Sequence, residues 1–188
     1  MIEQTAEYYN KRWENTIKLL PKGGDYRNDL RSRGWQLIAD YIGNNKKVFD
    51  FATGVSNLPK FLQFKECDVY GCDFSEVAVG YASQYGNFKV SGEIYGEGYD
   101  FITACQFLEH IDNPVEWVTD ALTKCKELII SIPNNFRQQG DHYLMQWSNW
   151  DEFNNLFTDF NIERIDTKEA YNGIHEAWNH PTFVFTKK

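Results

Sequence analysis

The sequence predicts an α/β fold, a three-layer sandwich in which a seven-stranded, mostly parallel sheet with an antiparallel last strand carries helices on both faces. Two observations predict this fold. Between residues 46 and 135, short apolar runs typical of strands alternate with stretches of helical pattern, as in the βαβ units that build a parallel sheet. Near the end of the chain, a long turn without a helical pattern separates two strand-like runs, so if they pair they must pair antiparallel.

Two amphipathic helices are predicted before the alternating part of the chain. Residues 3–20 place five apolar or aromatic side chains on roughly one helix face, namely Tyr8, Tyr9, Trp13, Ile17 and Leu20. Residues 21–25 contain proline and two glycines, which interrupt the pattern. A second helix is predicted over residues 26–42.

The predicted strands are assigned from short runs rich in apolar, β-branched and aromatic residues. In chain order they are 47–51, 68–73, 88–90, 99–105, 127–133, 162–165 and 182–186. The predicted helices between them are 57–64, 75–85, 113–124 and 149–158. The fourth and fifth strands are almost continuously apolar, as expected for strands buried on both faces of a sheet.

The length and composition limit the class of protein. A chain of 188 residues suits one domain, 1–188, which we divide into an N-terminal helical cap, 1–43, and a core, 46–188. The net charge of −8 disfavours binding to bulk nucleic acid, which needs a basic surface. No apolar run approaches the ~18 residues of a membrane span, and the polar N-terminus does not resemble a signal peptide. We therefore expect a cytoplasmic protein with no membrane partner, and leave its oligomeric state open.

The turn after the first strand is the first candidate site. Ligands of open α/β sheets bind at the carboxyl ends of the strands, and here that end carries Asp50 and then Gly54, whose backbone tolerates unusual turns. The turn lacks the G-x-G-x-x-G pattern that seats a pyrophosphate, which argues against a nicotinamide-dependent oxidoreductase. The Asp50 carboxylate would repel a pyrophosphate and attract a cationic ligand. Ser56 is predicted to cap the helix that follows.

Asp73 ends the second strand, about 20 residues after Gly54, where an acidic residue can accept hydrogen bonds from both hydroxyls of a ribose. The alternative is a helix N-cap for the helix that begins near Glu76, a role that Ser75 can also fill.

Four motifs stand in order along residues 46–135: Asp50-x-x-x-Gly54, Gly71-x-Asp73-x-Ser75, Tyr99-Asp100-Phe101-Ile102, and Phe107-Leu108-Glu109-His110-Ile111-x-x-Pro114. In this order and spacing they resemble the motifs of class I (Rossmann-like) S-adenosylmethionine-dependent methyltransferases. The similarity is greatest to small-molecule methyltransferases with a Leu-Glu-His element after the fourth strand. The first motif departs from the family, with Ala52 and Ser56 where glycines are usual.

The resemblance implies an S-adenosylmethionine site formed by three groups of residues. These are Asp50, Ala52 and Gly54 at the methionine part; Asp73, Phe74, Glu93 and Ile94 at the ribose and adenine; and Gln106 and Phe107 at the sulfonium. N-terminal helices cover the active site in many members of this family. Tyr9 and Trp13 are therefore candidate substrate-side residues, although such an aromatic face can also be a core face.

Methyl transfer from an activated cofactor needs an in-line nucleophile, and a base if that nucleophile carries a proton. His110, just past the fourth strand, is one candidate base, and His142, in the polar loop after the fifth strand, is the other. The alternative for each is a structural histidine bonded to the backbone. No metal site is predicted, because His175 and His180 are five residues apart instead of the four that suit a helix, and the four cysteines form no C-x-x-C pair.

These features predict transfer of a methyl group to an oxygen or nitrogen of a small metabolite, such as a sugar or nucleotide sugar. One alternative is a nucleic-acid or protein methyltransferase, which a basic cleft around Arg27, Arg31 and Arg137 would favour. The other is a non-catalytic module that binds the cofactor or a partner protein.

Overall fold

The computed structural model describes residues 5–19, 30–133, 147–166 and 180–188, with the side chains of residues 30 and 31 left out. Its strands are β1 (Lys47–Phe51), β2 (Asp68–Asp73), β3 (Asn87–Val90), β4 (Tyr99–Cys105), β5 (Cys125–Ser131), β6 (Phe160–Arg164) and β7 (Thr182–Lys187). Its helices are α1 (Ala6–Leu19), α2 (Leu30–Ile42), α3 (Leu58–Phe64), α4 (Glu76–Ala82), α5 (Pro114–Lys124) and α6 (Trp150–Leu156). Among these helices, none combines the length and apolar character needed to cross a membrane.

The strands form a sheet in the order β3-β2-β1-β4-β5-β7-β6. Strand β1 pairs parallel with β2, β2 with β3, and β4 with β5. Strand β7 runs antiparallel to both neighbours, with Ile129 opposite Val184 on one side and Ile162 opposite Phe185 on the other. The prediction of a seven-stranded, mostly parallel sheet with an antiparallel last strand is therefore confirmed.

Residues 4–95 form one compact unit, with strands β1 to β3 and helices α1 to α4. Its core includes the fully buried side chains of Phe49, Leu62 and Cys72. Gly71 lies opposite Asp50 in the parallel register. A Cβ built on Gly71 would lie 2.4 Å from the Asp50 carbonyl oxygen and 2.3 Å from a ring carbon of Phe88, so only glycine fits there.

Residues 96–188 form the second compact unit, with strands β4 to β7. Leu128, Ile129 and Ile130 are consecutive in β5 and all fully buried, which agrees with the prediction that this strand is covered on both faces. Helix α6 packs on β7 through aromatic rings, with Phe153 5.2 Å from Phe183 between ring centroids. Such ring pairs contribute stability beyond the area they bury.

Several predicted boundaries differ from the structure by a few residues. The helix predicted over 75–85 ends at Ala82, and the fifth strand begins at Cys125, directly after α5. The prediction that Ser56 caps a helix is wrong, because α3 begins one residue later and its N-cap is Asn57, which makes no side-chain cap bond. The Asn57 side chain instead accepts a hydrogen bond from the Tyr81 hydroxyl and donates one to the Ser32 hydroxyl, at 3.4 and 3.2 Å.

Candidate functional site

The turn after β1 is held by a short hydrogen bond. The Thr53 hydroxyl donates to Oδ2 of Asp50 at 2.6 Å, and the Thr53 amide donates to the Cys72 carbonyl at 3.1 Å. Asp50 is only 2% exposed. Ala52 and Gly54 both have positive φ, +51° and +54°, in the left-handed region that is costly for residues with a Cβ. The positive φ of Ala52 therefore strains the backbone at a position where a glycine would not be strained.

Asp73 fastens this turn to the end of β2. Its Oδ2 accepts a hydrogen bond from the Gly54 amide at 2.9 Å, and its Oδ1 accepts one from the Ser75 amide at 2.8 Å. The N-cap of α4 is Ser75, whose hydroxyl accepts from the Ala78 amide at 3.2 Å. Of the two roles considered for Asp73, the N-cap role belongs to Ser75.

The electrostatics of Asp73 reflect its burial, since the residue is 5% exposed. Burial raises the pKa of the Asp73 carboxyl, and hydrogen bonds from the Ser75, Gly54 and Phe74 amides partly oppose that rise. An ionised carboxylate has about four lone-pair sites. The three amides named above therefore leave capacity for a further donor, such as a ribose hydroxyl.

The segment after β3 is tied to the same strand end. The Ser91 amide donates to the Asp73 carbonyl at 3.0 Å, and the Ser91 hydroxyl accepts from the Glu93 amide at 2.9 Å. Ile94 is buried, whereas the Glu93 side chain is exposed. These bonds tie Ser91, two residues before Glu93, to the end of β2, and of the two predicted residues the apolar one is buried.

Helix α1 lies against the turn that contains Gly54. A Cβ built on Gly54 would lie 3.0 Å from Cζ2 and 3.2 Å from Cη2 of Trp13, so the indole packs directly on the glycine backbone. The Trp13 Nε1 is buried and has no hydrogen-bond partner among the described residues.

Two further contacts join α1 to the start of α4. The Ser75 hydroxyl donates to Oδ1 of Asn10 at 2.6 Å, and the Tyr9 ring meets Phe74 edge-on, with 5.0 Å between centroids. Because no residue of α1 is fully buried, these aromatic side chains do not form a core face. The structure brings Tyr9 and Trp13 together with Gly54, Asp73 and Phe74.

The remaining predicted residues lie in the second unit, just after β4. Gln106 has a positive φ of +57°, and its amide donates to the Ser131 carbonyl at 2.8 Å. The Gln106 Nε2 is buried without a described partner. The Phe107 ring packs on Trp117, with 4.9 Å between centroids.

A short 3-10 turn, Leu108–His110, follows. Within it Glu109 is 1% exposed, and its Oε2 has no hydrogen-bond partner among the described residues. This burial raises the pKa of Glu109 to about 8. The Nε2 of the half-buried His110 lies 3.9 Å from Oε1 of Glu109, which is too far for a hydrogen bond but close enough for electrostatic interaction.

Two residues of interest were not singled out from the sequence. Glu109 belongs to a motif quoted in the sequence analysis, but the only local sign of its burial is its position a few residues after an apolar strand. Asn10 is 65 residues from Ser75 in the chain, and nothing in the sequence indicates their contact.

Several sequence-based candidates lie outside the described residues. They are His142, His175, Arg27 and Arg137, and the Arg31 side chain is not described either. Within the described ranges, no group of three or more histidine, cysteine or acidic side chains could hold a metal ion.

Comparison with known proteins gives one family match. The model of a family described as a methyltransferase domain matches residues 24–168. No curated protein sequence matches this chain.

Solved structures resemble the chain over nearly its whole length. Magnesium protoporphyrin IX methyltransferase from Synechocystis PCC 6803, with bound S-adenosylmethionine, has a TM-score of 0.65 and 17% identity, covering 97% of this chain and 95% of its own. A TehB-like S-adenosylmethionine-dependent methyltransferase from Corynebacterium glutamicum has a TM-score of 0.63 and 19% identity, with coverages of 97% and 98%. A complex between the Haloferax volcanii Trm112 methyltransferase activator and a methyltransferase gives a TM-score of 0.70 and 13% identity, with coverages of 95% and 97%. Likenesses at this low identity establish a common fold.

Proposed function

The chain belongs to the methyltransferase domain family, and from that premise we propose that it transfers a methyl group from S-adenosylmethionine to an oxygen or nitrogen of a small metabolite. The observation that carries the cofactor assignment is the buried carboxylate of Asp73, which ends β2 and holds the Gly54 turn through a 2.9 Å hydrogen bond. This is the position in an open α/β sheet at which an acidic residue accepts ribose hydroxyls.

The charges of the turn favour this cofactor over a dinucleotide. Asp50 and Asp73 are both nearly fully buried, and a buried carboxylate is stabilised by a nearby cation. S-adenosylmethionine carries a sulfonium and an ammonium, whereas a dinucleotide brings a pyrophosphate that the Asp50 carboxylate would repel. We assign the methionine part to Asp50, Ala52 and Gly54.

The adenosine part is assigned to a second set of side chains around the end of β2. Asp73 takes the ribose, and Phe74, Glu93 and Ile94 take the adenine. Two hydrogen bonds support this grouping, one from the Ser91 amide to the Asp73 carbonyl and one from the Glu93 amide to the Ser91 hydroxyl, because they tie the segment after β3 to the carboxyl end of β2.

When bound, the cofactor supplies a methyl group that is already activated, so the chain's own residues mainly bind and orient the reactants. Gln106 and Phe107 are assigned to the sulfonium side. His110 is the proposed base, since its imidazole is half-buried and ends the short 3-10 turn that follows β4. The neighbouring Glu109 would stabilise an imidazolium if it ionises, because opposite charges a few ångströms apart attract. His142 remains the alternative base.

The acceptor is proposed to be small, such as a sugar or nucleotide sugar. The acidic net charge of −8 supports this over nucleic acid. The fold alone does not indicate the methyl acceptor, because one fold supports many acceptors. One of the similar structures, for example, is named for a porphyrin substrate. A nucleic-acid or protein acceptor stays the second candidate.

Calorimetry with S-adenosylhomocysteine tests the cofactor assignment without an acceptor. Charge-assisted hydrogen bonds are worth about 1.5–3 kcal/mol each, so Asp73→Ala should weaken binding at least tenfold. Asp68→Ala is the matched control, because Asp68 begins the same strand and its exposed carboxylate bonds the Tyr70 hydroxyl. The control should bind like the wild type. A wild-type protein that binds neither S-adenosylmethionine nor S-adenosylhomocysteine would contradict the proposal.

A further inference from the structure

A hydrogen-bond donor without an acceptor lies beside the Gly54 turn. The Trp13 Nε1 is buried and has no hydrogen-bond partner among the described residues. Leaving a buried N–H unsatisfied is costly, and native structures do so rarely. An unsatisfied donor at a candidate ligand site is therefore positioned for an acceptor that the ligand brings.

The indole that carries this donor is well supported. It rests on Gly54, with its Cζ2 3.0 Å from where a Cβ would be, and the Tyr9 ring lies 6.2 Å away between centroids. One turn earlier, Asn10 anchors the helix through its 2.6 Å hydrogen bond with Ser75. The missing Cβ of Gly54 is what allows the indole to approach the turn so closely.

The local charges indicate which acceptor fits. The guanidinium of Arg12 lies over the indole, 5.6 Å from the ring centroid, and a cation there favours an anionic acceptor for the adjacent N–H. At the other end of the same turn, the buried Asp50 carboxylate favours a cation. An α-amino acid carries an ammonium and a carboxylate on one carbon, so it complements both ends of this turn.

We propose that Trp13 is a cofactor-positioning residue whose Nε1–H donates a hydrogen bond to the carboxylate of the methionyl group, with Arg12 supporting the same anion. This assignment rests on the proposed function. It places Trp13 on the cofactor side of the site and not on the acceptor side implied by the family resemblance.

The test compares two ligands that differ only in the amino-acid part. S-adenosylhomocysteine carries the carboxylate and ammonium, whereas 5′-methylthioadenosine keeps the adenosine and thioether and lacks both. Trp13→Phe retains a ring against Gly54 and removes the N–H. It should weaken binding of S-adenosylhomocysteine about tenfold by calorimetry and leave the affinity for 5′-methylthioadenosine unchanged.

Two further variants make the test specific. Trp147→Phe removes another buried Nε1 that has no described partner, in the second unit, and should leave both affinities unchanged. Arg12→Gln alters an exposed side chain, so the fold is not at risk. It should weaken S-adenosylhomocysteine about two- to fivefold at low salt and less at high salt.

The outcomes separate this inference from the proposed function. Equal losses for the two ligands in Trp13→Phe would place the indole at the adenosine and overturn the inference. An unchanged affinity for S-adenosylhomocysteine would also overturn it, and so would tighter binding by Trp13→Ala, which would mean that the ring blocks the ligand. If the wild type binds neither ligand, the proposed function itself fails.

Discussion

The Asp73 carboxylate accepts a hydrogen bond from the Gly54 amide at 2.9 Å, which joins two motifs that stand 19 residues apart in the chain. The bond makes Asp73 both a structural residue and a candidate ligand residue. Its removal should therefore loosen the turn after β1 as well as weaken cofactor binding. Stability and affinity must be measured separately on every Asp73 variant.

Cofactor affinity should depend on the protonation of Asp73. Burial raises the pKa of its carboxyl, and ribose hydroxyls donate better to the charged form. Binding of S-adenosylhomocysteine should therefore weaken as the pH falls through this pKa, because the carboxyl must then lose a proton on binding. Calorimetry from about pH 7.5 to about pH 4.5 would measure this. Asp73→Asn should bind more weakly and lose this component of the pH dependence; identical pH profiles would contradict the prediction.

Glu109 should make the folded protein less stable as the pH rises. Burial raises its pKa from 4.5 to about 8 in the folded state, so the stability it contributes is fully present below about pH 4.5 and is lost as the pH rises towards 8. For each pKa unit between the folded and the unfolded state, the free energy of unfolding changes by about 1.4 kcal/mol. The Tm of Glu109→Gln should therefore increase relative to the Tm of the wild type as the pH rises through this range.

Thermal melts of both proteins at several pH values give the comparison. Glu116→Gln, on an exposed position of α5, serves as the control and should follow the wild type. A constant Tm difference between Glu109→Gln and the wild type across the pH range would show that Glu109 is not the titrating group.

Ala52→Gly should stabilise the protein. Ala52 has a φ of +51°, and this conformation costs a residue with a Cβ about 1–2 kcal/mol. Glycine removes that cost, but its more flexible unfolded chain lowers the free energy of unfolding by about 0.5–1 kcal/mol, so the net gain lies between roughly 0 and 1.5 kcal/mol. Urea denaturation measures it. Ala39→Gly, at a fully buried position in the interior of α2, should instead lose at least about 1 kcal/mol, and any loss of stability at position 52 would refute the strain argument.

His110→Ala should lower kcat by roughly 10²–10⁴-fold if the imidazole removes the acceptor's proton. The affinity for S-adenosylhomocysteine should change little, since His110 is not among the residues assigned to the cofactor. The rate is measured with an acceptor identified by screening sugars and nucleotide sugars for methylation. An unchanged rate would transfer the base role to His142 or show that the acceptor needs no base.

Much of the fold could be predicted because buried strands and helices have local patterns of apolar residues in the sequence. Consecutive apolar residues such as Leu128, Ile129 and Ile130 mark a strand covered on both faces, and the antiparallel position of β7 followed from the missing helical pattern before it. The boundaries of the fifth strand were less predictable, because α5 passes into it at Cys125 without a turn.

The candidate site was predictable only where a motif encodes it. Gly71 was quoted as part of a motif, but the reason for glycine there is the close approach of the Asp50 carbonyl on the neighbouring strand. The contacts of Asn10 with Ser75 and of Trp13 with Gly54 join parts of the chain that are far apart in sequence. Such pairings leave no periodic pattern, so only the three-dimensional structure reveals them.

Helix α1 is held by contacts to residues of the cofactor motifs, through Trp13 on Gly54, Tyr9 on Phe74 and Asn10 on Ser75. The position of α1 and the binding of a ligand are therefore linked, because a ligand that shifts the turn also shifts the surface on which the helix packs. Lys11 and Glu14 point to solvent on the same helix. A fluorophore attached at either position would therefore report ligand binding as a change in fluorescence.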